Sequence, residues 1–300
     1  MKRLLLTNTN FKAILSFYKE WLLLLGYSPS TVYQLPNHLR EFFYYLERQG
    51  VSDLKSLKAE HIEAYYAHLK QRTNTKWAGG LSSSYLNKHQ QALERFKAFL
   101  NDHSDHPIYF NLKKEKTDRR SSESILTQSE VKQLFEATHY SHKLPKIRSR
   151  DRAMLVLLYS LGLRRNEVCH VHCQDINHYK GTLHVRQGKN YTERLIPINQ
   201  KNLETLLEYQ NTYRQAFLVA EPTDALLLNY RGGALGGRSL ADRLKALQKL
   251  TQIDKPLTPH ILRHSIATHL LQSGASIEQI SHFLGHRSLE STQLYTHLIH

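Results

Sequence analysis

The chain has 300 residues, room for two ordinary domains, and 40% of them are hydrophobic, enough for packed cores. Its 41 Lys and Arg against 26 Asp and Glu give a formal net charge of +15, which suggests a polyanionic partner, most simply nucleic acid. Two cysteines are too few for a disulfide framework, no apolar run reaches the roughly 18–20 residues of a membrane span, and the basic start Met-Lys-Arg lacks the apolar core of a signal peptide; a cytoplasmic location without membrane contact is expected.

Residues 8–26 predict an amphipathic helix. Phe11, Ile14, Leu15, Tyr18, Trp21, Leu22 and Leu25 recur at three- and four-residue steps, and Gly26 closes it. Ser28-Pro29 reads as an N-cap followed by proline at the first helical position. The helix after it conflicts locally with Pro36, which predicts a kink or a late start. Two more helices are predicted near 58–72 and 83–100, separated by the Thr-Asn-Thr-Lys-Trp-Ala-Gly-Gly loop. Residues 1–103 are therefore expected to form an all-helical module. Lys70, Arg72 and Lys76 around the loop, and Lys88, Arg95 and Lys97 on the fourth helix, are candidate phosphate contacts, since sequence-independent DNA binding needs only cations at the right height. Residues 104–124 are polar, charged and aperiodic, and read as a linker.

Structure resumes at Thr127-Gln-Ser-Glu130, a capping box. A strongly apolar helix over 150–161 is stopped by Gly162, and Leu163-Arg164-Arg165-Asn166-Glu167 opens another. Cys169 and Cys173, at i and i+4 on what reads as one helix face, have no second cysteine pair to complete the roughly four ligands of a metal site and are expected to be inert thiols. The period then changes to two. Residues 182–187 and 192–198 read as a β-hairpin with Lys189 at its tip, joined by a short strand at 174–176 into a small antiparallel sheet. Helices return over 203–213 and 240–251. Domain 125–300 closes with a helix capped by Thr258-Pro259, a second capping box at Ser276-Ile-Glu-Gln279, a stop at Gly285 with His286 directly after it, and a last helix over 288–298 carrying Tyr295. The fold class expected is mainly α with a small antiparallel sheet.

Several of these residues suit phosphodiester chemistry. Charge that gathers on the non-bridging oxygens is held best by forked guanidiniums, for which Arg164 and Arg263 are the candidates, with Glu167 placed to orient Arg164. Tyr295 is a candidate nucleophile, Lys189 a candidate proton donor, and His260 shares the first turn of its helix with Arg263.

Arg150-Asp-Arg-Ala…Leu-Gly-Leu-Arg164-x-x-Glu167, Gly188-Lys189, Pro259-His260-x-x-Arg263-His264, Leu284-Gly285-His286 and Ser291-Thr-Gln-Leu-Tyr295-Thr-His together resemble the tyrosine recombinases, or phage-integrase family, and within it the compact Xer-like and mobile-element integrases. The resemblance covers nearly all of the second half, and five motifs in order are highly specific; the first half resembles the family's SAM-like core-binding domain more weakly. It implies that Tyr295 attacks the scissile phosphate to form a 3′-phosphotyrosyl link and frees a 5′-hydroxyl. Arg164 and Arg263 would hold the phosphate oxygens, Lys189 would act as general acid, His260 as base or proton shuttle, and His286 would hydrogen-bond the phosphate. The link keeps the bond energy, so neither ATP nor a metal is expected. The partners implied are duplex DNA at specific sites and other copies of the chain, as a tetramer, in integration, excision, inversion or replicon resolution. A type IB topoisomerase and a non-catalytic DNA-binding protein on the same scaffold are the alternatives.

Two departures stand out. The family's Gly-Lys-Gly-x-Lys turn is here Gly188-Lys189-Asn190-Tyr191-Thr192, which keeps a residue that tolerates left-handed geometry but drops the second lysine. The sequence stops at His300, five residues past Tyr295, where many relatives continue into a helix that docks on a neighbour, so that coupling is expected to be shorter, replaced or absent.

Overall fold

A computed structural model describes residues 4–74, 78–103, 107–116, 125–186, 193–217 and 223–285. The chain divides into two compact units, Met1–Arg119 and Arg120–His300. It is mostly helical with one small antiparallel sheet. Among the described residues, no helix is long and apolar enough to cross a membrane.

The first unit holds α1 (Thr9–Leu24), α2 (Pro29–Arg48), α3 (Ala59–Gln71) and α4 (Ser83–His103). Ser28 caps α2 through the Thr31 N–H, and the helix starts at Pro29 and continues through Pro36. Of the kink or late start expected at Pro36, the late start is absent. Proline cannot donate to the Val32 carbonyl, but Pro36 is buried, and packing over twenty residues holds the helix together. The aromatic core stacks Phe11 on Phe43 at 4.6 Å and sets Phe96 edge-on to Phe43 at 5.4 Å. Residues 107–116, read from sequence as part of a linker, lie against this unit. Ile108 is buried, Gln90 donates to the Lys113 carbonyl at 2.8 Å, and Glu115 pairs with Lys70 at 2.7 Å. Their polar composition hides these anchors because each partner lies on a distant helix.

A buried polar chain crosses the same core. Tyr65 meets His89 at 3.1 Å, His89 meets His38 at 3.2 Å, and Glu41 pairs with both His89, at 3.6 Å, and Arg72. Burial holds both imidazoles neutral, aided by the Lys88 charge at His38 and by His38 and Arg72 at His89; their pKa values fall to about 4 and about 3. The unfolded chain therefore binds protons that the folded chain refuses between about pH 6.5 and 4. Glu41, raised by burial against the pull of Arg72, partly offsets this. Stability is thus expected to fall as pH drops through that window, and urea unfolding at pH 7 and pH 5 should show it. His89→Gln should flatten the slope; an unchanged slope would contradict the assignment.

The second unit is built on α5 (Gln128–Ala137), α6 (Pro145–Leu155), α7 (Arg165–Cys169), β1 (Ile176–Asn177), β2 (Thr182–Val185), β3 (Arg194–Pro197), α8 (Gln200–Glu208), α9 (Gly237–Gln248), α10 (Pro259–Gln272) and α11 (Ile277–Leu284). Thr127 and Glu130 cap α5 reciprocally, and Ser276 and Gln279 do so for α11. The apolar helix starts at Pro145, earlier than read, and its last turn, Val156–Ser160, widens to a π-helix. The Leu161 N–H reaches back to the Val156 carbonyl at 2.9 Å. α7 ends at Cys169 and Cys173 sits in the next 3₁₀ turn, so the two thiols do not share one helix face. Both are free, and burial raises the pKa of each.

The sheet runs β1-β2-β3, antiparallel throughout, with Leu183 opposite Ile196 and Val185 opposite Arg194. Leu183, Val185 and Ile196 face the core that also contains the α6 side chains Met154 and Leu155. The hairpin tip, 187–192, lies outside the described residues.

Candidate active site

Three segments meet at the end of the π-turn. Gly162, at φ 59°, turns the chain out of the apolar helix, and a Cβ there would come within 2.8 Å of Leu284 Cδ2. Only glycine gives both the left-handed backbone and the close approach. Two residues later Arg164 forms the N-cap of α7. Gly285, at φ 65°, ends α11 and makes the turn that leads to 286.

Around this crossing the guanidiniums of Arg164, Arg194 and Arg263 surround one carboxylate, Glu167. Glu167 accepts from the Arg164 backbone N–H at 2.7 Å and from Arg164 Nη1 at 3.1 Å. It accepts the two ends of Arg194 at 3.1 Å each, a bidentate fork. Arg263 Nη1 stands 3.9 Å from its Oε2. The backbone completes the frame. Arg263 donates to the Gly162 carbonyl at 2.5 Å and to the Leu284 carbonyl at 2.6 Å. Arg164 donates to the Gly285 carbonyl at 3.1 Å, and Arg194 to that of Phe283 at 3.0 Å. Three successive carbonyls of the 283–285 turn thus each receive a guanidinium.

Burial works to raise the Glu167 pKa, but the Arg194 fork, the Arg164 N–H and the Arg164 charge outweigh it and hold it below the ordinary carboxylate value. The carboxylate stays ionised. Among the described residues, three cations face one anion in this largely buried place, a surplus of two positive charges. Such a surplus can attract an oxyanion, the more strongly as charge builds on it.

Arg164, Glu167 and Arg263 therefore come together. His260 lies one turn before Arg263 on α10; it is exposed, while Arg263 is buried. Lys189, His286 and Tyr295 fall outside the described residues. Arg194 is not among the site residues predicted from sequence. Its signal was the alternation of β3: Arg194 is in phase with Ile196, on the core face. A charged residue at an inward strand position implies a buried partner.

Of the candidate DNA contacts, Lys88 and Arg95 are exposed on α4, and Arg95 lies over the Tyr27 ring at 5.8 Å. Lys70 pairs with Glu115, Arg72 with Glu41, and Lys97 with Glu94 at 2.6 Å. Lys76 lies outside the described residues.

Comparison with known proteins gives consistent results. The family model described as the phage integrase family matches residues 124–300. The tyrosine recombinase XerC of Bacillus subtilis (strain 168) is 32% identical over 295 residues, covering 96% of this chain and 93% of its own. The tyrosine recombinase XerD of Staphylococcus saprophyticus is 32% identical over 276 residues, covering 91% and 89%. Among solved structures, the XerH site-specific recombinase bound to its difH substrate superposes with a TM-score of 0.70 at 22% identity, covering 88% of this chain and 75% of that one. A lambda integrase dimer bound to a COC′ core site superposes at 0.67 with 19% identity, covering 95% and 94%.

Proposed function

The chain belongs to the phage integrase family and is a site-specific tyrosine recombinase, a DNA strand transferase, and from this premise we propose how its residues divide the work. DNA is the partner. The Tyr295 phenol oxygen attacks the scissile phosphorus, the P–O5′ bond breaks, and the 3′ end stays attached through a phosphotyrosyl diester. The phenol proton passes to His260. Lys189 supplies a proton to the departing 5′ oxygen. A new 5′-hydroxyl then attacks the phosphotyrosyl link and releases the tyrosine. One diester is exchanged for another at each step, so the reaction is close to balanced without an energy donor.

The observation that carries this reading is the cluster around Glu167. Two guanidiniums beside the 283–285 turn, with a surplus of positive charge behind them, suit the charge that accumulates on the phosphate during attack. His286, next in the chain after that turn, would add a hydrogen bond to the same phosphate. Because each strand cut consumes one tyrosine, exchanging both strands of two duplexes needs four, and the assembly is a tetramer on two sites.

Binding before chemistry rests on cations of the helical unit, Lys88 and Arg95 foremost. Removing one phosphate contact lowers the slope of log affinity against log salt by about 0.9. Lys88→Ala should do this with little change in sequence preference, as titrations at three salt concentrations would show. An unaltered slope would remove Lys88 from the DNA face.

The function itself is tested on a supercoiled plasmid carrying two copies of a site first captured as covalent adduct and sequenced. Recombinant circles are expected. Relaxation without recombinants would contradict the reading.

A further inference from the structure

We propose that Arg194, on the inner face of β3, is a positioning residue for strand cleavage: it fixes the Glu167 carboxylate and the 283–285 turn against which Arg164 and Arg263 are aimed. This rests on the assignment of Arg164 and Arg263 to the scissile phosphate.

A buried arginine could serve the core alone, but the details favour a directed role. Arg194 occupies a sheet position opposite Val185 and in phase with Ile196, where an apolar side chain would ordinarily sit. Apolar replacement of a buried ion pair is often neutral or stabilising, so folding by itself does not call for a guanidinium here. Among the described residues, its hydrogen bonds go to the Glu167 cluster: two to Glu167 and one to the Phe283 carbonyl. Gly285 is fitted to it as well. A Cβ on Gly285 would stand 2.7 Å from Arg194 Nη1 and 3.0 Å from its Cδ and Cζ, so the turn closes directly onto the guanidinium.

The consequence for the site is electrostatic and geometric together. Without Arg194, the two oxygens of Glu167 are left to Arg164 on the α7 N-cap and to Arg263 on α10. The carboxylate then draws those guanidiniums toward itself, and the positive surplus falls from two charges to one. The turn loses its tie to β3, the strand that begins five residues after Lys189. A single side chain therefore links the frame of the phosphate pair to the segment leading to His286 and to the hairpin of the general acid.

The test uses the full chain with Arg194→Lys and Arg194→Met, assayed in single turnover on a nicked duplex carrying a captured site, which traps the covalent adduct. Misplacement by about 1 Å slows such chemistry on the order of 10²-fold; both variants are expected to slow to that extent. DNA affinity should stay within about threefold, since the change falls on the reaction step rather than on binding. The rate–pH profile separates positioning from general loosening. Among the described residues, the charged groups facing Glu167 are Arg164, Arg194 and Arg263; removing one cation lets the carboxylate take up its proton at higher pH, so the acid limb of the Arg194→Met profile should move upward. Where Arg194→Met fails to fold, Arg194→Lys, which keeps the charge but not the fork, decides the matter. A folded variant that cleaves within about threefold of the parent would overturn the proposal. So would a slowed Arg194→Met variant whose acid limb stays in place. An adduct formed by Tyr295→Phe protein would instead refute the catalytic reading on which the proposal stands.

Discussion

Tyr295→Phe protein is expected to form no covalent adduct with a nicked duplex and to yield no recombinants, while binding DNA as the parent does. The change removes one oxygen and no charge, so folding and the cationic DNA face are untouched. Loss of a covalent nucleophile is felt at roughly 10⁶-fold, which puts residual cleavage below detection. Seventeen tyrosines make the control necessary. Tyr159 and Tyr209 are poor nucleophiles: burial raises the pKa of each, and Tyr159 is engaged with His269 at 2.8 Å. Adduct surviving in the Tyr295→Phe protein would move the nucleophile elsewhere.

Arg263→Lys should slow adduct formation about 10³-fold, the scale for removing a preorganised oxyanion donor. An ammonium keeps the charge, but it cannot hold the Gly162 and Leu284 carbonyls together, at 2.5 and 2.6 Å, and still face a phosphate with a planar fork. Arg263 is also buried among these carbonyls, so part of any loss is stability. Thermal melting and single-turnover rate at saturating DNA separate the two effects. A variant with a lowered melting temperature but parental rate would show that Arg263 holds the Gly162 and Leu284 segments together without acting on the phosphate.

What sequence made legible was local. The capping boxes at Thr127 and Ser276, the Ser28 and Thr258 caps and the antiparallel β2–β3 pair depend on neighbours a few residues apart, and they stand where the pattern puts them. The pairing of Arg164 with Glu167 is also local, three residues along one helix start. What stayed hidden was tertiary. Arg194 finds its carboxylate 27 residues away and its carbonyl 89 away, so only its inward phase on β3 hinted at burial. His38 and His89 give no local sign of burial, and Arg72 reads as a candidate phosphate contact, because their partners lie on other helices. The π-turn at Val156–Ser160 has no residue signature, since Val-Leu-Leu-Tyr-Ser continues an apolar helix as readily as it widens one. Residues 107–116 look like a tether until Asn87, Gln90 and Lys70 are seen to hold them.

Cleavage through Tyr295 with a fixed polarity is decided by digesting the trapped adduct and sequencing both the linked peptide and the DNA ends. The expected product is a peptide containing Tyr295 joined to a 3′-phosphate, with a 5′-hydroxyl on the released strand. A different tyrosine, or a link to a 5′-phosphate, would contradict it.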